Sequence, residues 1–181
     1  LLIIMKTIAQ RFNESNIVWG LGGSALLDVF GLCVKVNDLD ILVESKDFDK
    51  AVEILDQIGD EKHKPSNPNF RTAHFKTYQI ENCAVDVMSG ICVKHHETWF
   101  DFIFTAHHIV SKTNIDAHEI PLMDLEDWYR IYQALDRKDK IELIDRYEAF
   151  EYGILPNALI VLSTSKKYPL LMEEMKVVEH I

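Results

Sequence analysis

Trp19-Gly20-Leu21-Gly22-Gly23-Ser24, followed after 13 residues by Asp38-Leu39-Asp40-Ile41-Leu42-Val43, is the stretch whose reading decides the fold. Ile17 to Leu21 is a short apolar run that reads as a buried strand, and it ends in a glycine pair. Ala25 to Phe30 then reads as a helix that stops at Gly31. A Gly-Gly-Ser turn between strand and helix lets backbone N–H groups approach a phosphate closely. No Gly-Lys-Ser/Thr follows, so this is not a Walker loop, and Gly20, Gly22 and Gly23 miss the dinucleotide spacing. Val36 to Val43 alternates as a strand does. Period two sets Val36, Asp38, Asp40 and Leu42 on one face and Asn37, Leu39, Ile41 and Val43 on the other. The two carboxylates, with Cα atoms roughly 6.6–6.8 Å apart, repel each other unless a divalent cation sits between them. Oxygen ligands of this kind suit Mg²⁺ or Mn²⁺ better than Zn²⁺. Taken singly, the turn also fits a plain loop, and Asp-x-Asp a strand end in water.

A third carboxylate lies downstream. In Cys83-Ala84-Val85-Asp86-Val87-Met88, Val85 and Val87 share one face and Asp86 points the other way. An aspartate in so apolar a run is disfavoured unless it is paired or ligates a metal.

Around these three elements the pattern is mixed α/β. Leu1, Leu2, Met5, Ile8, Ala9 and Phe12 recur at helical spacing, which predicts a helix over 1–13. Ser45 is a candidate N-cap for a helix that turns Phe48, Ala51, Val52, Leu55 and Ile58 inward and ends at Gly59. Residues 65–69 read as a loop, and 70–80, 83–88 and 99–104 as strands. From Pro121 the pattern becomes helical. Asp124 can cap a helix striped by Leu125, Trp128, Tyr129, Tyr132 and Leu135, a second helix follows at 139–151, and Pro156 and Pro169 punctuate what comes after. The expected organisation is therefore a mixed α/β domain over 1–118 and a helical segment over 119–181 packed on it.

The glycine turn, Asp38-Leu39-Asp40 in a strand and Asp86 in a later strand together resemble the polymerase-β-like nucleotidyltransferase superfamily. The likeness is strongest to its small single-chain members, which include antibiotic nucleotidyltransferases and toxin-type enzymes. The motifs cover about residues 1–90, and the resemblance extends more loosely through residues 120–127 and 137–139. It implies a mixed sheet flanked by helices, with a C-terminal helical segment. It also implies transfer of a nucleoside monophosphate from a nucleoside triphosphate such as ATP to a small-molecule or protein hydroxyl, releasing pyrophosphate. On matching positions, Gly22, Gly23 and Ser24 would hold the triphosphate, and Asp38, Asp40 and Asp86 would carry Mg²⁺ or Mn²⁺ and the catalysis. Two departures stand out: Tyr129-Arg130 occupies a place where many relatives have a lysine, and the glycine turn is followed directly by apolar residues, with no basic side chain nearby for the phosphates. A non-catalytic partner-binding or antitoxin-like protein on the same fold is the alternative, and a metal phosphoesterase a third reading.

Composition sets outer bounds. The chain has 181 residues, 48% of them hydrophobic and 27% charged, which is ordinary for a folded domain and excludes a disordered or collagen-like chain. A net charge of −10 argues against broad docking on nucleic acid or anionic membrane. Three cysteines make no disulfide framework, and the apolar run Leu1–Met5 is too short to span a bilayer, so a cytoplasmic protein is expected, with a homodimer allowed for. Cys92, His95 and His96 cluster in sequence, but no second pair at ligand spacing accompanies them.

Overall fold

The computed structural model describes residues 1–32 and 35–151. In chain order the elements are α1 (Leu2–Glu14), β1 (Trp19–Leu21), α2 (Gly23–Val29), β2 (Asp38–Val43), a 3₁₀ turn (Ser45–Asp47), α3 (Phe48–Leu55) and β3 (Asp60–Lys62). They continue with β4 (His74–Ile80), β5 (Cys83–Ser89), β6 (Ile91–His95), β7 (Thr98–Phe102), a 3₁₀ turn (Ala106–His108), β8 (Ile109–Ile115), β9 (His118–Met123), α4 (Leu125–Ala134) and α5 (Lys138–Glu151). Seven strands form one mixed sheet in the order β3-β4-β5-β2-β1-β9-β8, and β6 and β7 form a separate hairpin. This is the expected mixed α/β architecture.

One face of the sheet makes a continuous core layer. Leu39, Ile41 and Val43 of β2 stand in register with Val85 and Val87 of β5, with Tyr78 of β4 and with Leu21 and Trp19 of β1. All of these are essentially inaccessible. Helices α1 and α3 cover that face. Phe12 of α1 meets Trp19 edge-on with ring centroids 5.8 Å apart, and Asn13 accepts a 2.9 Å hydrogen bond from the Trp19 indole N–H. Beyond α3, Asp56 accepts a 2.7 Å bond from the Tyr78 hydroxyl, and burial together with that carboxylate pushes the phenol pKa well up.

Several expectations shift. Ser45 caps nothing: it sits inside the 3₁₀ turn and its hydroxyl lies 2.8 Å from that of Ser89. The residue just before α3 is Asp47, whose carboxylate accepts the Val18 N–H at 3.0 Å and so ties the α3 entrance to β1. The expected strand over 70–80 begins at His74. Strands β3, β6, β8 and β9 are additions. The described residues divide into two compact units, the first Leu1–Asp124 and the second beginning at Leu125. Residues 119–123, expected in the helical segment, thus belong to the first unit as part of β9, where Leu122 pairs with Leu21. In the second unit α4 buries Leu125, Trp128, Tyr129 and Tyr132 as their spacing requires, and α5 buries Ile144. Cys33 and the segment punctuated by Pro156 and Pro169 lie outside the described residues. Among the described residues no helix is long and apolar enough to cross a membrane.

Candidate active site

The same alternation that builds the core aims the carboxylates the other way. Asp38 and Asp40 occupy the opposite face of β2, with Leu39 fully buried between them. In the parallel β2–β5 pairing Asp40 stands opposite Asp86, and Asp86 in turn stands opposite Thr77 of β4. Three carboxylates from two neighbouring strands therefore share one side of the sheet. Adjacent strands run about 4.8 Å apart, so Asp40 and Asp86 are direct cross-strand neighbours of like charge, an arrangement that is unfavourable without a compensating cation.

The glycine turn meets this face at the N-terminal end of β2. The Gly22 N–H donates to the Asp40 carbonyl at 2.9 Å, so that amide is committed to holding the turn against the strand. Gly23 opens α2 with φ +61, in the left-handed region. A Cβ built there would overlap the Asp40 side chain, 2.7 Å from its Cγ. Glycine is thus required twice: by the backbone angle and by the carboxylate seated against the turn. The Gly23 and Ser24 amides belong to the first turn of α2 and have no intrahelical carbonyl to donate to. They are the groups of the turn left to meet an anion.

Asp86 is 7% exposed and its charge is answered from within the chain. Lys64, in the connection between β3 and β4, places its ammonium 2.9 and 2.6 Å from the two carboxylate oxygens. The Thr77 hydroxyl donates to one of those oxygens at 2.7 Å. The Lys64 ammonium also lies 5.2 Å from the centre of the Phe75 ring. Sequence reading missed both Lys64 and Thr77. Thr77 was findable once β4 and β5 were paired as a hairpin, whereas Lys64 carries no local signal.

The remaining sequence candidates do not join this group. Cys92 lies opposite Asp101 in the β6–β7 hairpin, and the Asp101 carboxylate raises its thiol pKa by accepting a hydrogen bond. The His95 and His96 rings contact each other at 4.3 Å. His108, outside that cluster, makes a capping box with Thr105 in the 3₁₀ turn over Ala106–His108. Among the described residues no three His, Cys, Asp or Glu side chains converge as a ready-made metal cage.

No family model matches the chain, and no curated protein matches it. Solved structures do. A presumed nucleotidyltransferase of Thermotoga maritima, TM1012, superposes with a TM-score of 0.61 at 23% identity, covering 81% of this chain and 91% of that one. The antibiotic-resistance factor ANT(2'')-Ia in solution gives a TM-score of 0.58 at 13% identity over 96% of this chain and 94% of its own. The same factor in complex with adenylyl-2''-tobramycin gives 0.57 at 13% identity, covering 89% and 93%. The chain has the polymerase-β-like nucleotidyltransferase fold of the small type.

Proposed function

We propose that this chain is a nucleotidyltransferase that moves a nucleoside monophosphate from a nucleoside triphosphate to a hydroxyl on a small molecule or protein, releasing pyrophosphate. The observation that carries the reading is the placement of Asp40 opposite Asp86 on adjacent parallel strands, with the Asp40 side chain seated against the Gly23 turn. A carboxylate pair and a glycine turn are thereby held together by backbone hydrogen bonds.

The donor set fits Mg²⁺ or Mn²⁺. Every candidate ligand is a carboxylate oxygen, and Mg²⁺ is usually held by one or two carboxylates plus substrate phosphates rather than by a complete protein cage. Asp38 and Asp40 would hold the cation on the nucleotide side, and Asp86 on the acceptor side. When bound, the metal supplies charge neutralisation for the triphosphate and acidity for the acceptor hydroxyl. The Gly23 and Ser24 amides and the Ser24 hydroxyl bind and orient the phosphates. The acceptor oxygen forms its bond to the α-phosphorus in line as the bond to the β-phosphate oxygen breaks, and Asp86 takes the hydroxyl proton. The adenylyl-2''-tobramycin complex of the structural neighbour supports an adenylyl group and a small-molecule acceptor as the first pair to try. Incubating the protein with Mg²⁺, each labelled triphosphate and an acceptor panel tests this. A labelled acceptor with equimolar pyrophosphate is expected, and phosphate release without any acceptor product would point to a phosphoesterase.

One observation favours a second reading, a non-catalytic partner-binding protein on this fold: Asp86 is already neutralised by Lys64. A rise in melting temperature on adding Mg²⁺ with a triphosphate separates the two, since only the enzyme binds both.

A further inference from the structure

Lys64 holds the one buried carboxylate of the site from a position that is easy to leave. Its side chain is 49% exposed while that of Asp86 is 10% exposed. It lies two residues beyond β3, immediately before Pro65, in the exposed connection that leads to β4. A lysine ammonium is a compact charge on a four-carbon stem with many rotamers, suited to reaching and to letting go. Both Asp86 oxygens are engaged by it, and Thr77 adds a hydroxyl to one of them. These are the oxygens a divalent cation would need, and two cations cannot share them without strong repulsion.

We infer that Lys64 is an exchangeable internal counter-cation: it occupies the cation position at Asp86 in the metal-free protein and is displaced when a divalent ion loads. The inference rests on the metal-dependent reading above and deepens it. It gives the sheet a reason to be stable before metal arrives. Asp40 and Asp86 face each other across β2 and β5, and Lys64 supplies positive charge to Asp86. Because displacement is a competition, the effect is reciprocal: removing the ammonium must tighten metal binding, and metal must free the ammonium. Once released, Lys64 is a basic side chain beside the site.

The test uses Mn²⁺ alone, followed by the electron-spin signal of the free ion, on the wild type and on Lys64→Met and Lys64→Arg. Lys64→Met is expected to bind Mn²⁺ at least tenfold more tightly, while melting lower than the wild type without metal. Lys64→Arg, which keeps the charge, stays close to the wild type. In parallel, the wild type is treated with an amine-acylating reagent and the modified lysines are read by mass spectrometry. Lys64 labelling is expected to rise severalfold on adding Mn²⁺, with Lys76, paired to Glu61 on the outer strands, unchanged. Equal or weaker Mn²⁺ affinity in a folded Lys64→Met, or Lys64 labelling that ignores Mn²⁺, overturns the displacement but leaves the nucleotidyltransferase reading standing. Absence of Mn²⁺ binding in both the wild type and Lys64→Met overturns the displacement, and absence of binding when a triphosphate is added as well overturns both.

Discussion

Ile41 and Asp40 are neighbours in sequence and opposites in environment. Ile41 is buried on a face where its register neighbours are Leu21 and Val87. Asp40 looks out of the other face, beside a glycine turn and across from a second carboxylate. A strand offers this separation at no cost, because consecutive side chains point to opposite sides. Over Asp38 to Ile41 one set of alternating residues provides stability and the other carries the carboxylates, while farther along the carboxylate face Leu42 is itself buried. The comparison also identifies the weak point. The chemical face concentrates negative charge, and within the described residues the counter-charge to Asp86 is a lysine from an exposed connection.

The sharpest break in the comparison is expected at Asp86. Asp86→Asn keeps the shape and the Thr77 contact but removes the base, so turnover should fall by about 10²–10⁴-fold while triphosphate affinity stays measurable. Single-turnover transfer alongside calorimetric binding reads both quantities; turnover at the wild-type level would remove Asp86 from the mechanism.

The turn should respond more to backbone than to hydroxyl. Gly23→Ala adds a Cβ at a left-handed residue pressed against Asp40, and should abolish triphosphate binding. Ser24→Ala removes a single hydrogen bond, about 1.5–3 kcal/mol when the partner is charged, and should weaken binding roughly 10- to 150-fold by the same conversion. Equal losses in the two variants would argue against a backbone cradle.

How far the sequence could be read follows from the same alternation. The β2 faces, the helices α1, α2, α4 and α5, and the three aspartates were legible, because each declares itself over a few consecutive residues. What escaped reading depends on partners far along the chain. β3 is Asp60-Glu61-Lys62, exposed throughout, and it becomes a strand only through backbone pairing with β4 at the sheet edge. Charges of that sort suit an edge but resemble a loop in sequence. β9 carries Pro121, which cannot donate to a ladder, so its run reads as the approach to a helix although it pairs with both β8 and β1. Lys64 reaches a carboxylate 22 residues away across two strands, a contact that no local spacing encodes.

The smallest effect is expected away from the site, at Glu44. Its carboxylate meets the Lys46 ammonium and accepts the Ala106 N–H at 2.8 Å, and these bonds, the lysine first, hold its pKa below the ordinary carboxylate value. A group depressed in the folded state adds stability that is complete above its unfolded pKa and is lost as pH falls through the folded one. Thermal melts should therefore show Glu44→Gln losing its deficit against the wild type between about pH 5 and pH 3. A deficit unchanged across that range would mean the carboxylate contributes nothing as a charge.

The most direct measurement of the central claim pairs the two neighbours on β2. Asp40→Asn and Ile41→Ala are compared by chemical denaturation and by calorimetric titration with Mg²⁺ and a non-hydrolysable triphosphate. Ile41→Ala should lose about 2–5 kcal/mol of stability and bind the triphosphate as the wild type does. Asp40→Asn should keep its stability to within about 1 kcal/mol and lose metal-dependent binding. Retained metal-dependent binding in Asp40→Asn would contradict the assignment of this face to the chemistry.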